Sequence, residues 1–387
     1  MDRATFLAGV VALFAPETGR FGAPESITVP MLVQNNRIYV DADFTGSAGR
    51  ERTLQTQIDT GGGALILARR AADDLGLQVL GKPDRSETVR IAAPLVYIGS
   101  DSVTVPFAAS TSADTSVIGP AAWSPAFLAG AYLRDYAVTF DYPGRTLSLN
   151  APSLRATQIP VRISSKSGFP RVELVIDGEA MGFLLDTGAS FTMLSERVVQ
   201  RLRSKNPSWP TVTGAYGPAN MLGGPMERNA TMLRIPKVRF GPLLLESVDV
   251  VSRPAGTFEH YMSPLMSAPI VGAIAGNVLR NFAFRLDYPQ ERLELRFTEN
   301  PWPGELTIAP IIVRPRPDGS YEIAGELRGS DLAGERLVAV EGHDVDGLSL
   351  FAVQELLRGT PGSTRTMTIG NTAQQSHRVA VAVVSIL

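Results

Sequence analysis

The stretch "LLDTGAS" at residues 184–190 has a near copy, "QIDTGGG", at residues 57–63. In both, an apolar run ends in an aspartate, Asp186 or Asp59, and a threonine and a glycine follow. The glycine permits a tight turn that a Cβ atom would obstruct. The occurrence of this unusual phrase twice in one chain predicts a fold with internal repetition.

A second pair of segments repeats in the same order. "LAGAYLRDYAVTFDYPGRTLSL" spans residues 128–149 and "IAGNVLRNFAFRLDYPQERLEL" spans residues 274–295. The offset is 127 residues for the aspartates (186 − 59) and 146 for the aligned glycines Gly130 and Gly276 (276 − 130). Two motifs in one order at similar separations predict two copies of a single structural unit.

Each copy has the pattern of short strands. Residues 171–188 alternate, pass an Asp-Gly turn at residues 177–178 and enter a second apolar run, which predicts a β-hairpin. Residues 282–297 alternate around a proline-bearing turn in the same way. Apolar residues at helical spacing predict short helices at residues 68–76 and 195–203. The expectation is a mainly β, two-lobed body over residues 27–298.

The two aspartates suggest a specific chemistry. Each would lie at the end of an apolar strand, where desolvation favours the neutral carboxyl. Two such groups in contact cannot both ionise cheaply, so they share one proton. The ionised group can accept a proton from water while the protonated group donates to a carbonyl oxygen, which is hydrolysis by general acid–base catalysis.

These motifs resemble the aspartic proteases, both pepsin-like and retropepsin-like. The similarity is greatest to bacterial retropepsin-like chains, in which a D-T-G-A turn is followed by "LG-x-x-x-L-R-x-F" and "LDYP". The resemblance implies a bilobal, acid-protease-like double β-barrel built from two homologous repeats, residues 27–150 and 151–298. It also implies an endopeptidase that acts on a polypeptide substrate without a cofactor or a metal.

The resemblance also implies roles for individual residues. It makes Asp59 and Asp186 the catalytic dyad. The supporting residues would be two threonines that brace the turns, two glycines that permit them and two glycines that pack beneath them: Thr60, Thr187, Gly61, Gly188, Gly130 and Gly276. The chain departs from the family pattern at Gly62, where alanine or serine is usual, and at the alanines before Gly130 and Gly276, where a larger apolar residue is usual.

The family further implies a β-hairpin flap over the substrate. From the aspartate to the next strand-end glycine there are 40 residues in the first copy (99 − 59) and 55 in the second (241 − 186). The extra residues lie around "WPTVTGAYGPANMLGGPMERNATM" at residues 209–232. We expect the second copy to supply the working flap, with Tyr216 and Met221 on the substrate and Gly217 as a hinge. A surface loop without a role in catalysis is the alternative.

The end of the chain has a different pattern. Residues 299–306, which begin "ENPWPGE", predict a proline-rich linker. Residues 330–369 resemble the later part of a PDZ domain, through Gly334, Leu337, Gly342, a helix at residues 350–357 and "GTPG" at residues 359–362. The resemblance implies that residues 307–387 form a PDZ-like α+β domain that binds a peptide or a C-terminus. A structural lid or docking domain is the alternative.

Composition excludes several other functions. The net charge of −2 over 387 residues gives no electrostatic reason to expect nucleic-acid binding. The absence of cysteine removes thiol catalysis and disulfides. The three histidines, His260, His343 and His377, are far apart in sequence and predict neither a zinc site nor a serine–histidine triad.

The N-terminus and the duplication bear on location and assembly. Residues 6–15 form an apolar run after one arginine, too short to cross a bilayer but suited to a secretory signal. Residues 1–26 are therefore predicted to be a signal or anchor segment, and the protein to be periplasmic, secreted or membrane-anchored. Because both aspartates are in one chain, a monomer suffices to build the site.

Two alternatives to a protease remain at this point. An inactive relative could bind peptides or a partner in its cleft, as the change at Gly62 and the PDZ-like segment would allow. A β-rich envelope or scaffold protein could use both turns only structurally. Close approach of Asp59 and Asp186 argues against a scaffold.

Overall fold

The computed structural model describes residues 26–82, 88–111, 125–214, 230–298, 307–316, 318–326, 332–370 and 376–385. Within these ranges β-strands dominate and the helices are short. The α-helices are α1 (Arg69–Asp74), α2 (Glu196–Lys205), α3 (Gly276–Leu279) and α4 (Leu350–Leu357). The fold is mainly β and bilobal, as predicted.

The strands follow the two repeats and the C-terminal segment. Those of the first repeat are β1 (Ile27–Pro30), β2 (Leu32–Gln34), β3 (Arg37–Thr45), β4 (Glu51–Asp59), β5 (Leu65–Leu67), β6 (Thr88–Ile91), β7 (Leu95–Ile98), β8 (Asp101–Val103), β9 (Ala108–Thr111), β10 (Ala126–Ala129), β11 (Ala137–Asp141) and β12 (Thr146–Leu149). Those of the second repeat are β13 (Thr157–Pro160), β14 (Arg162–Ile163), β15 (Pro170–Ile176), β16 (Glu179–Asp186), β17 (Met193–Ser195), β18 (Thr211–Gly214), β19 (Ala230–Phe240), β20 (Leu243–Arg253), β21 (Gly272–Ala275), β22 (Phe282–Asp287) and β23 (Arg292–Phe297). The C-terminal segment contains β24 (Thr307–Ile308), β25 (Ile311–Pro315), β26 (Tyr321–Glu326), β27 (Arg336–Val340), β28 (His343–Asp344), β29 (Thr364–Gly370), β30 (Ser376–Ala382) and β31 (Val384–Ser385).

A six-stranded sheet joins the two repeats, in the order β1-β12-β11-β22-β23-β13. At its centre β11 pairs antiparallel with β22, and Thr139 lies opposite Arg285. These two residues are related by the same offset as the repeated glycines (285 − 139 = 146). On either side of them Val138 faces Leu286 and Phe140 faces Phe284. The ladder is therefore symmetric about the Thr139–Arg285 pair, which marks a pseudo-twofold axis between the repeats.

Each repeat also forms a sheet of its own with matching connections. In the first, β4 runs parallel to β10, which pairs antiparallel with β5, which runs parallel to β9. In the second, β16, β21, β17 and β20 make the same three pairings in the same order. This shared topology is the structural counterpart of the repeated motifs.

The local predictions in both repeats hold with small shifts. The predicted helices at 68–76 and 195–203 are α1 and α2, and the second extends to Lys205. The predicted hairpin is β15–β16, whose turn residues Asp177 and Gly178 both have positive φ, 53° and 80°. The second predicted hairpin is β22–β23, but β22 is buried along its whole length because it lies between β11 and β23.

The C-terminal residues form a separate sheet, in the order β25-β26-β27-β29-β30. Helix α4 occupies the predicted residues 350–357 and packs against β25 and β27. Ser349 caps the helix by accepting a hydrogen bond from the amide of Ala352. The predicted linker at 299–306 lies outside the described residues.

Two clusters of buried apolar side chains hold the chain together. One spans the first repeat, the six-stranded sheet and part of the second repeat. The other continues from the second repeat, through residues such as Phe169 and Ala189, into the C-terminal sheet and the face of α4 that carries Val353 and Leu357. The C-terminal unit thus shares its core with the second repeat. In the described part of the chain, no helix combines the length and apolarity that crossing a membrane requires.

Candidate active site

Both aspartates lie at the last position of a central strand. Asp59 ends β4 opposite Ala129 of β10, and Asp186 ends β16 opposite Ala275 of β21. Because each strand is followed at once by a turn, both carboxyl groups leave their sheets at the junction between the two repeats. Asp186 is buried and Asp59 is half-buried.

The two turns are locked together by a reciprocal pair of threonine hydrogen bonds. Thr60 Oγ1 accepts from the amide of Thr187 (2.9 Å) and donates to the carbonyl of Leu185 (2.6 Å). Thr187 Oγ1 accepts from the amide of Thr60 (3.1 Å) and donates to the carbonyl of Ile58 (2.8 Å). Both threonines are fully buried. Each repeat therefore satisfies backbone groups of the other.

This lock brings the two carboxyl groups together on either side of Gly188, close enough for each to shift the pKa of the other. Each also lies against the turn of the opposite repeat. A Cβ atom added at Gly188 would stand 2.2 Å from Cγ of Asp59, and one added at Gly61 would stand 3.0 Å from Cγ of Asp186. Gly188 needs to be glycine because the carboxyl of Asp59 fills the space, and Gly61 is crowded by Cδ2 of Leu184 (2.9 Å) as well as by the carboxyl of Asp186.

The two carboxyl groups differ in the donors that they receive. Oδ1 of Asp186 accepts from two amides, those of Gly188 (2.9 Å) and Ala189 (3.1 Å). Oδ1 of Asp59 accepts from one, that of Gly61 (2.8 Å), and the amide of Gly62 donates instead to the Asp59 carbonyl (3.1 Å). Hydrogen bonds to a carboxylate favour its ionised form. Asp186 is therefore the better anion of the pair.

The electrostatics agree with this assignment. Burial, the charge of Asp186 and the hydrogen bond between the two groups raise the pKa of Asp59 to about 8. Burial also raises the pKa of Asp186, but its two amide donors and the hydrogen bond from Asp59 act in the opposite direction. Of the two groups, Asp59 therefore holds its proton more strongly.

A buried arginine beside the pair was not predicted. Arg37, the first residue of β3, is 3% exposed, and its Nε donates to the carbonyl of Gly188 (2.8 Å). Its positive charge lowers the pKa of both aspartates. Gln57 Nε2 donates to the same carbonyl (3.0 Å). Arg37 and Gln57 thus hold the Asp186 turn from outside, and Arg37 places a positive charge beside the pair.

The sequence contains a pattern that could have placed Gln57 at the site, but none that could have placed Arg37 there. Gln57 lies two residues before Asp59, and side chains two apart on a strand share a face, so its position could have been inferred. Arg37 follows the turn between β2 and β3, and only tertiary contact brings it to the site. No sequence pattern links it to Asp59.

The two predicted supporting glycines lie in different surroundings. A Cβ atom at Gly130 would stand 2.6 Å from Cα of Thr60 and 2.9 Å from the Tyr288 hydroxyl, so Gly130 packs against the Asp59 turn. A Cβ atom at Gly276 would stand 2.1 Å from the carbonyl oxygen of Asn36, so Gly276 packs against the first repeat. Its amide also donates to the carbonyl of Ala189 (3.0 Å) in the turn of its own repeat, and a supporting role for Gly276 beneath Asp186 stays a prediction.

Each tyrosine of the two Asp-Tyr-Pro motifs lies near the aspartate of the other repeat. Tyr288 of the second repeat is buried and interacts electrostatically with Asp59. Tyr142 of the first repeat is buried and interacts in the same way with Asp186. In both cases burial, and then the carboxylate, raise the pKa of the phenol. Both hydroxyls therefore remain protonated. The predicted flap residues Tyr216, Gly217 and Met221 lie outside the described residues.

Part of the second repeat is similar to a known protein family. Residues 172–270, in the second repeat, match the family model described as aspartyl protease. A crystal structure of an aspartic proteinase from Irpex lacteus aligns with 71% of this chain and 98% of its own, at 12% sequence identity and a TM-score of 0.43. No curated protein sequence matches the chain.

Proposed function

We propose that the protein is an aspartic endopeptidase whose dyad is Asp59 and Asp186. The observation that carries the proposal is the approach of the two carboxyl groups at the junction of the repeats, on either side of Gly188 and with the turns locked by Thr60 and Thr187. Two neighbouring acids that share a proton suit the hydrolysis of an amide by general acid–base catalysis. The similarity of residues 172–270 to the aspartyl protease family supports the same substrate class, a polypeptide.

The unequal donors assign the roles within the dyad. Asp186, the better anion, accepts a proton from the attacking water. Asp59, the protonated member, donates its proton to the carbonyl oxygen of the scissile bond as the water oxygen bonds to the carbonyl carbon. In the second step Asp186 returns its proton to the leaving nitrogen and Asp59 recovers one from a hydroxyl of the tetrahedral intermediate. The carbon–nitrogen bond breaks, and the dyad ends with one proton, as it began.

The test is cleavage of an unfolded protein and of a peptide library by the purified full chain, from acid to mildly alkaline pH. Asp59→Asn and Asp186→Asn keep the side-chain size but remove the shared proton, and each should abolish turnover. Asp74→Asn changes an exposed aspartate of α1 and should cleave like the wild type. Full activity in either dyad variant would disprove the assignment. A wild type that binds peptides but never cleaves them would replace the proposal with a binding function.

Location and assembly are proposed on sequence grounds alone. The apolar run at residues 6–15 supports export or membrane attachment, and the presence of both aspartates in one chain supports a monomer. Fractionation of cells that express the full chain, and light scattering of the purified protein, test these two points.

A further inference from the structure

The C-terminal unit touches the catalytic unit at the turn between β2 and β3. Asn35 Nδ2 donates to Oε1 of Gln354 on helix α4, across 319 residues of sequence. Both side chains are 4% exposed. Among the described residues the Oδ1 atom of Asn35 has no hydrogen-bond partner. The bond to Gln354 is therefore the polar contact that holds the Asn35 side chain.

The same turn reaches the catalytic turn through its next two residues. Asn36 Nδ2 donates to the carbonyl of Ser190 (3.1 Å), and Arg37 Nε donates to the carbonyl of Gly188 (2.8 Å). The amides of Gly188 and Ala189 in turn bind Oδ1 of Asp186. A path of direct contacts thus runs from Gln354 through three consecutive residues to the dyad.

The conformation of the β2–β3 turn couples the position of Asn35 to the positions of Asn36 and Arg37. Gln34 lies opposite Arg37, so the turn has two residues, Asn35 and Asn36, both with positive φ (48° and 62°). Two-residue turns of this kind have a narrow conformational range. From the second repeat, Arg280 Nη1 donates to Oδ1 of Asn36 (3.0 Å). A shift of Asn35 therefore moves Asn36 and Arg37 with it.

We propose that Gln354 is a positioning residue, through which the C-terminal unit holds the β2–β3 turn and so keeps the Asp186 turn in its catalytic geometry. The inference rests on the proposed function for its kinetic consequence. Its structural consequence is independent of turnover: the amides of Gly188 and Ala189 are protected only while α4 is docked. A purely structural contact would stabilise the whole chain without this local effect.

The test uses the full chain with two single variants and their combination. Gln354→Met removes the acceptor at similar length. Asn35→Gly removes the donor, and glycine accepts the positive φ of the turn. Glu355→Gln is the matched control, because Glu355 is the next residue of α4, has an exposed side chain and pairs with Arg358 within the same unit.

Hydrogen exchange measured by mass spectrometry on the peptide that contains residues 187–190, and peptide cleavage kinetics, are the two readouts. Misplacement by about 1 Å can cost about 10²-fold in rate, so a smaller shift should lower kcat about tenfold with KM little changed. Exchange at residues 187–190 should accelerate in both single variants. The double variant should be no worse than either single one, since both break the same contact. Glu355→Gln should match the wild type in each measurement.

Three outcomes would overturn the inference. The first is that Gln354→Met keeps the wild-type kcat and the wild-type protection of residues 187–190 from exchange. The second is that Glu355→Gln changes both quantities as much as Gln354→Met does. The third is that the loss of activity in Gln354→Met equals the fraction of that variant found unfolded in urea titrations. If the wild type itself cleaves nothing, the proposed function fails. The exchange data then still decide whether α4 positions the Asp186 turn.

Discussion

The threonine lock between the two turns allows a quantitative test. Thr60→Val replaces the hydroxyl by a methyl group of similar size. It leaves two buried backbone groups without their partner, the amide of Thr187 and the carbonyl of Leu185. An unsatisfied buried polar group costs about 1–3 kcal/mol, so two cost about 2–6 kcal/mol of the free energy of unfolding. This is a large share of the roughly 5–15 kcal/mol typical of a folded protein.

Urea unfolding followed by circular dichroism measures this loss. Thr60→Ser keeps the oxygen and should lose only about 1 kcal/mol, for the missing methyl. Thr28→Val is the matched control, because Thr28 is exposed and its hydroxyl bonds to Ser148 Oγ (2.8 Å) far from the dyad. A surface change of this kind should stay within about 0.5 kcal/mol.

The same variants distinguish a catalytic lock from a merely stabilising one. Because Thr60 and Thr187 fix the relative position of the two turns, Thr60→Val should lower kcat about 10²-fold in protein that is still folded. The reasoning would be refuted if Thr60→Val cost no more free energy than Thr28→Val. It would be refuted equally if folded Thr60→Val cleaved peptides at the wild-type rate.

Three further outcomes follow from the geometry of the site. The pH dependence of kcat/KM should be bell-shaped. Activity should fall as pH rises through about 8, where Asp59 loses its proton, and fall again in acid as Asp186, whose pKa is raised above 3.8, becomes protonated. A profile that is flat across neutral and mildly alkaline pH would contradict this. Gly188→Ala should abolish peptide cleavage and leave the circular dichroism spectrum unchanged, because its Cβ would stand 2.2 Å from Cγ of Asp59 and must displace that carboxyl; an active variant would show that the carboxyl lies elsewhere. Tyr288→Phe should raise the free energy of unfolding by about 1 kcal/mol, because the buried hydroxyl has no hydrogen-bond partner among the described residues; a loss of stability in the same urea titration would show that the hydroxyl has one.

The repeated motifs made the architecture predictable. The two Asp-Thr-Gly phrases and the two Asp-Tyr-Pro phrases define the repeats, and the turn chemistry at residues 177–178 locates a hairpin. Helical spacing located α1 and α2 to within two residues, and the resemblance to a PDZ domain located α4. These features are local or repeated, so a single sequence contains them.

The surroundings of the dyad were less predictable, because they depend on contacts between distant segments. Arg37 approaches the Asp186 turn from the other repeat, and Gln354 approaches Asn35 from the C-terminal unit. Nothing in the sequence around these residues distinguishes them from ordinary surface or core positions. Gly276 shows the same limit, since the carbonyl of Asn36, which comes from the other repeat, crowds its Cα.

The symmetric β11–β22 ladder has a consequence for biosynthesis. Strand β11 is complete at residue 141, but its partner begins at residue 282, so 141 residues (282 − 141) must be translated before the pair can close. During that interval the N-terminal half has an unpaired strand edge, which invites pairing with another chain. Strands β11 and β22 are equivalent strands of the two repeats, so β11 of one chain resembles the partner that β11 of another chain lacks. On a polysome, the available partner is therefore the same strand of a neighbouring nascent chain. Slow translation between these two points therefore favours misassembly.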